Sequence, residues 1–303
     1  MKILITGNSG QVAQELQLAL AGKADVIALG RDRLDLADPQ RIRQQVRALS
    51  PDLLINAAAY TAVDQAENDR DAAFAVNATA PGVLAEEAAA LGIPLIHYST
   101  DYVFDGAKAG AYNEADPTNP LGVYGSSKLA GEQAIQAVGG QYLILRTSWV
   151  YSLHGRNFLL TMQRLLQERE ELRVVDDQIG APTWAGSIAR ATVELIGQWQ
   201  AGNRHWGVYH LTNQGETSWF GFASAIGEQL KTAGKPCGRL VPIPSSEYPT
   251  PARRPLNSRL DGRKLAQDWQ VSLPDWRSAL AECLRCGSDF NRDSGDGYTV
   301  LGE

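Results

Sequence analysis

Cysteine is scarce in this chain: Cys237, Cys283 and Cys286 are the only three among 303 residues. Three cysteines, all late in the sequence, make no disulfide framework, so a reducing compartment is expected. Cys283 and Cys286 form a Cys-x-x-Cys pair, but zinc needs two more ligands, and none of the four histidines lies nearby in sequence. The pair reads as two small apolar residues on a C-terminal helix. Long apolar runs are also missing. No segment reaches the ~18 apolar residues of a membrane span. The first apolar strand starts at Ile3, leaving no stretch for the charged and apolar regions of a signal peptide. Nor is there an excess of positive charge. The net charge is −6 and the pI about 5.4, which argues against a nucleic-acid partner while allowing a local basic pocket for phosphates. Internal repeats and low-complexity blocks are absent. A cytoplasmic enzyme without a membrane or nucleic-acid partner is the expectation.

What is present fits an ordinary globular protein, with 44% hydrophobic and 20% charged residues and enough length for one large or two modest domains. The first half alternates short apolar runs with helical stripes. Strands are expected at 2–6, 25–29, 53–56, 94–99 and 142–146, and helices at 11–20, 39–49, 69–91 and 124–138. The stripe Val12, Leu16, Leu20 marks the first helix, and Pro39 sits in the first turn of the second. Such alternation predicts an α/β fold, a Rossmann-type doubly wound parallel sheet with ligands at the carboxyl ends of its strands. After residue 150 the texture changes. Helices are expected at 157–168, 188–199, 222–233 and 275–285. Five prolines between 241 and 255 suggest an extended loop. The reading is a dinucleotide-binding domain over 1–150, joined by segments from about 186–212. A smaller α/β substrate domain covers 151–286, and a polar mobile tail 287–303.

The segment Gly7-Asn8-Ser9-Gly10-Gln11-Val12-Ala13 lies between the first strand and the first helix. Gly7 permits a tight turn, and Gly10 lets a pyrophosphate approach the helix N-terminus, whose free N–H groups and dipole favour negative charge. A plain strand-to-helix turn is the competing reading. The second strand is followed by Gly30, Arg31 and Asp32 rather than by a single acid for ribose hydroxyls. Arg31 suits a 2′-phosphate, so NADPH is expected, with NADH as a second candidate; Asp35 and Leu36 are placed to border the adenine.

Tyr124 and Lys128 stand four residues apart in Tyr-Gly-Ser-Ser-Lys, on one helix face. A free phenol titrates near 10, and a neighbouring cation lowers that value. Tyr124 is therefore the candidate proton donor to a carbonyl receiving hydride, with Lys128 as its cation and ribose partner. Thr100, at the carboxyl end of the fourth strand, is placed to hold the carbonyl oxygen. Alone, its hydroxyl would more simply serve a local turn.

These residues resemble the extended short-chain dehydrogenase/reductase superfamily, and more narrowly the family of dTDP-4-dehydrorhamnose reductases. The resemblance runs in order from Met1 to about Leu284. It is carried by 56–64 (NAAAYTAVD), 98–104 (YSTDYVF), 124–132 (YGSSKLAGE), 146–151 (RTSWVY), 177–183 (DQIGAPT) and 254–260 (RPLNSRL). It implies that Gly10, Gln11 and Val12 contact the cofactor phosphates and that Ala59, Tyr60 and Thr61 line the cofactor. It also implies that Thr100 and Asp101 touch the sugar and that Trp149 stacks on it. The implied reaction is NAD(P)H-dependent reduction of the 4-keto group of a dTDP-4-dehydro-6-deoxy-sugar. In that setting Arg254 suits the diphosphate, with Asn157 at a helix start as a helper, and Gln178 and Thr183 suit the base, while stabilisation of its own loop is an equal reading for each. Asp64 suits a cap. Some relatives dimerise around magnesium held by acids. Glu15 is present without a full set, so no metal is expected, and a homodimer stays open. Two other readings stay open as well: a nucleotide-sugar dehydratase or epimerase, and a non-catalytic NADP-binding subunit like the regulatory subunit of methionine adenosyltransferase.

Overall fold

The computed structural model describes residues 1–293, with side chains to residue 287. Its centre is a six-stranded, wholly parallel sheet. The strands are β1 (Lys2–Thr6), β2 (Asp25–Leu29), β3 (Leu53–Asn56), β4 (Leu95–Thr100), β5 (Tyr142–Thr147) and, after a series of short strands, β10 (Gly207–His210). Their spatial order is β10-β5-β4-β3-β1-β2. The order reverses between β1 and β3, and a crevice opens at their carboxyl ends.

Helices cover both faces because the strands are apolar on both faces. Ile3, Ile5, Leu53, Ile55, Ile96 and Leu145 face α1 (Gln11–Leu20) and α8 (Ala185–Gln200). Leu4, Leu54, Leu95 and Ile144 face α2 (Pro39–Leu49), α5 (Ala80–Leu91) and α6 (Val123–Val138). Between β3 and α5 the chain forms α3 (Val63–Ala66) and α4 (Arg70–Phe74). The expected single helix over 69–91 is thus interrupted: Ala75–Thr79 is a π turn between α4 and α5. Pro81, in the first turn of α5, supplies no N–H to the Asn77 carbonyl, which is the usual origin of such a widening.

The rest of the chain builds a second core from α7 (Phe158–Glu168), α9 (Trp219–Thr232) and α11 (Trp276–Asp293), around Leu159, Phe222, Ile226, Trp276 and Leu280. Small two-stranded sheets edge it. β6 (Val150–Tyr151) pairs with β9 (Thr183–Trp184), β8 (Ile179–Gly180) with β11 (Thr217–Ser218), and β7 (Glu171–Val175) with β12 (Arg239–Ile243). β12 corrects the expected loop at 241–255: Pro242 lies inside a strand, tolerated because a two-stranded sheet is all edge. The last helical piece, α10 (Arg263–Trp269), packs under the main sheet. Helix α11 runs on to Asp293, past the point at 287 where a tail was expected. The remainder of that tail, 294–303, lies outside the described residues. Cys283 and Cys286 both lie on α11 in this second core, as expected, and burial pushes the Cys283 thiol up.

Candidate active site

Gly7 leaves β1 with φ +83, and its N–H donates to Leu29 of β2 at 2.7 Å. A side chain there would be strained by that backbone and would press on the Ala58 methyl at 3.2 Å. Gly10, exposed, begins α1 without a side-chain cap. A Cβ at Gly10 would meet only the Ala57 carbonyl at 4.0 Å, so the helix N-terminus is open to an incoming group. The uncapped N–H groups of the first turn, at the point where the strand order reverses, fit a pyrophosphate. Gln11 and Val12 stand on that turn, half-buried.

On the other side of the crevice, Ala59, Tyr60 and Thr61 follow β3. Asn77 clamps this segment: its Oδ1 accepts from Tyr60 N at 2.8 Å, and its Nδ2 donates to Tyr60 O and to Ser127 Oγ of α6, each at 3.0 Å. At the rim Arg31 is 87% exposed and only loosely paired with Asp35, at 3.8 Å. Leu36 differs from expectation. It is packed into the core beside Leu29 and Leu34, and only Arg31 and Asp35 remain at the rim.

Thr100 ends β4. Its Oγ1 accepts from Tyr102 N at 3.2 Å and donates to Asp101 Oδ1 at the same distance. So the local-turn role foreseen for this hydroxyl is real, and the same hydroxyl lies near enough to the Tyr124 phenol to act on its titration. Helix α6 comes this close because of Gly125: a Cβ there would lie 2.2 Å from the Tyr102 carbonyl. The Tyr102 and Tyr124 rings meet edge to face, with centroids 5.4 Å apart. Tyr124 is half-buried. Burial holds its phenol above the ordinary value, and the Thr100 hydroxyl works against that. Asp101 is buried, with Oδ2 unpartnered among the described residues, and burial lifts its carboxyl to about 6.

Lys128 corrects the simple picture of an ammonium beside a phenol. Its amine turns under α6 to the sheet, donating to Tyr98 O at 2.7 Å and meeting His97 Nε2 at 3.3 Å. It is 2% exposed, and burial brings it down to about 8, with Glu132 pulling the other way. Glu132 itself is held by Arg146 at 2.6 Å, a buried ion pair that fixes α6 to β5.

Several substrate-side expectations also change. One face of Trp149 is covered by Trp219, with centroids 3.6 Å apart and planes 12° from parallel. Trp149 holds φ +50, a conformation that costs a non-glycine residue roughly 1–3 kcal/mol. Asn157 spends its side chain locally. Its Oδ1 caps α7 at Leu160 N, and its Nδ2 donates to Gln11 Oε1, Ser152 O and His154 O. Arg254 is paired with Asp64 at 2.7 Å and donates to the Tyr102 hydroxyl at 3.3 Å. Asp64 is therefore a partner rather than a cap. Thr183 is fully buried and donates to Ala181 O, whereas Gln178 bonds Ser245 and Trp219.

Sequence reasoning missed Asn77, His97, Glu132 and the Thr6–Asn56–His97 row. The row had a signal. Thr6, Asn56 and His97 are polar residues in otherwise apolar strands, and the register sets them side by side across β1, β3 and β4.

With this geometry in place, known proteins supply the family. The model of the RmlD substrate binding domain matches residues 1–287. The chain belongs to the dTDP-4-dehydrorhamnose reductase family. The reductase of Burkholderia thailandensis is 49% identical over 94% of this chain and 98% of its own, and that of Escherichia coli K12 is 44% identical over 94% and 97%. Among solved structures, the family's ortholog from Clostridium acetobutylicum has a TM-score of 0.88 at 36% identity, covering 95% of this chain and all of its own. The Bacillus anthracis reductase, solved in complex with NADP, has a TM-score of 0.86 at 34% identity and covers 94% and 98%. A dTDP-glucose 4,6-dehydratase from Streptomyces venezuelae, at 20% identity and a TM-score of 0.76, covering 98% of this chain and 99% of its own, shares the fold. One of these relatives thus holds NADP on the fold described above.

Proposed function

We propose that this protein reduces the 4-keto group of dTDP-4-dehydro-6-deoxy-L-mannose with NADPH, giving dTDP-L-rhamnose. The observation that carries the reading is the meeting of Tyr124 and Thr100 beside buried Lys128, next to the uncapped N-terminus of α1. When bound, the cofactor supplies hydride to the carbonyl carbon. Gly10, Gln11 and Val12 would hold its phosphates, and Ala59, Tyr60 and Thr61 would line it. Thr100 Oγ1 steadies the carbonyl oxygen, and Tyr124 gives that oxygen its proton. Lys128, with one hydrogen committed to Tyr98 O, keeps another for the cofactor ribose. Asp101 and Trp149 border the sugar.

The Streptomyces dehydratase of the same fold is a competing class. Elimination of water needs a second acid beside Asp101; here Tyr102 follows, bonded to Arg254. In a coupled assay with dTDP-4-keto-6-deoxyglucose and a 3,5-epimerase, NADPH absorbance falls in step with product. Conversion of dTDP-glucose, or of another nucleotide-sugar, with no 3,5-epimerase and no added NADPH would assign a dehydratase or epimerase. NADPH binding without turnover would favour a regulatory subunit. Cofactor choice rests on Arg31, exposed at the rim and only loosely paired with Asp35, where it could meet a 2′-phosphate. Arg31→Ala is expected to weaken NADPH more than NADH in fluorescence titrations, and equal losses would remove that contact. Among the described residues no helix is long and apolar enough to cross a membrane, which supports a cytoplasmic site of action.

A further inference from the structure

A row of buried side chains runs beneath the active site on the α6 face of the sheet. Thr6 Oγ1 lies 2.6 Å from Asn56 Oδ1, Asn56 Nδ2 lies 2.9 Å from His97 Nδ1, and His97 Nε2 lies 3.3 Å from Lys128 Nζ. Thr6, Asn56 and His97 are each 1% exposed, so every proton in the row needs a partner within it.

The direction of the row follows from its first member. The Thr6 hydroxyl accepts from Ala58 N at 3.3 Å, and its own hydrogen goes to Asn56 Oδ1. Turning the Asn56 amide over would leave that hydroxyl hydrogen buried with nothing to meet. Asn56 therefore presents its NH₂ to His97 Nδ1, which must accept. Burial holds the imidazole well below its usual range, so it is neutral and carries its one proton on Nε2. That N–H points at Lys128 Nζ. An ammonium has three donors and no acceptor, and would set donor against donor. A neutral amine has two hydrogens and a lone pair: one hydrogen for Tyr98 O, the lone pair for His97, and one hydrogen left for the crevice.

We infer that His97 is a positioning residue that favours the neutral form of the Lys128 amine in the protein alone, and that the neutral fraction takes a proton from solvent when an anionic dinucleotide enters the cradle. The inference rests on the reading of that cradle as a dinucleotide site. Negative charge arriving nearby raises the proton affinity of the amine. The proton goes to the Nζ lone pair, and the His97 contact is given up. Few other groups bear on the amine. Glu132, one turn along α6, favours its charge, but Arg146 of β5 and Ser99 of β4 hold that carboxylate. Tyr124 shares the helix, and Asp101, beyond the end of β4, acts on the phenol.

Calorimetric titration of the protein with NADPH at pH 8, in buffers of differing ionisation enthalpy, counts protons taken up on binding. An amine with its midpoint at about 8 is half neutral at that pH, so about half a proton per site is expected in the parent. Lys128→Met should abolish the uptake. His97→Asn, whose shorter amide keeps a polar group for Asn56 but does not reach the amine, should raise the charged fraction of Lys128 and reduce the uptake. Circular dichroism checks that each variant is folded. In 15N-lysine-labelled protein the Lys128 resonance should report mostly amine at pH 9 in the parent and a larger ammonium fraction in His97→Asn. NADPH binding with no uptake in the parent, or uptake unchanged in either variant, overturns the inference. Failure to bind NADPH at all would instead overturn the cofactor reading.

Discussion

At the scale of single residues, the site separates two tasks that the sequence spacing had merged. Tyr124 sits with Thr100 and Tyr102, while Lys128, one turn on, is inside the sheet layer. Tyr124→Phe removes only the transferable proton. Turnover should fall by ~10²-fold or more, the usual scale for a positioned proton donor, while NADPH affinity in fluorescence titrations stays nearly the same. Unchanged turnover would remove its assigned role. Lys128 gives a prediction with a definite sign. Its folded-state value, about 8, lies below the ordinary value for lysine, so between these two the unfolded chain binds more protons and stability rises with pH. Below about pH 8 the cost of the buried charge is fully present. Lys128→Met should therefore be more stable than the parent at pH 7 in urea melts, with the gap narrowing towards pH 10. A gap that is constant across that range would show that the lysine titrates normally. Tyr124, Lys128 and Thr100 could be singled out in the sequence because residue type and spacing carry the expectation. His97 was not, because its role depends on which neighbour the register gives it.

Among the elements, α6 carries the proposed proton donor, and its approach is set by Gly125. A methyl at that position would need the space of the Tyr102 carbonyl, 2.2 Å away, and backbone does not yield as a flexible side chain does. Gly125→Ala should displace α6 from the end of β4. Overpacking of this kind costs about 1–3 kcal/mol, and turnover should fall together with the midpoint of thermal unfolding. A variant with full activity and parental stability would show that the helix has slack there. The long elements were readable from periodicity: β1, α1, β2, α2 and β3 lie where their apolar patterns place them. The misses have local causes. Nothing in the composition of 69–91 announces a π turn except Pro81, and β12 was hidden by the proline that an edge strand tolerates. The two-residue strands β6, β8, β9 and β11 are too short to carry any period.

Two of the contacts that join distant parts of the molecule involve residues first assigned to substrate. Trp149, just after β5, lies flat on Trp219 at the start of α9. Arg254, from the loop beyond β12, reaches Asp64 in α3, while Asp64 also accepts from Ala252 N at 3.1 Å. Sequence alone could suggest a cation for a diphosphate; it could not show that the cation already has a partner, since Asp64 and Arg254 are 190 positions apart. Arg254 is only partly exposed, so an exchange of Asp64 for a diphosphate trades one charged partner for another rather than releasing a free arginine. The two single variants then move in opposite directions. Arg254→Ala should raise the KM for the dTDP-sugar by ~10-fold or more, the scale of a lost charge-assisted hydrogen bond, with NADPH affinity unchanged. Asp64→Ala removes the competitor and should lower that KM or leave it where it is. If the pair served only to pin the loop to α3, both variants would loosen the same contact, and both would raise the KM alike.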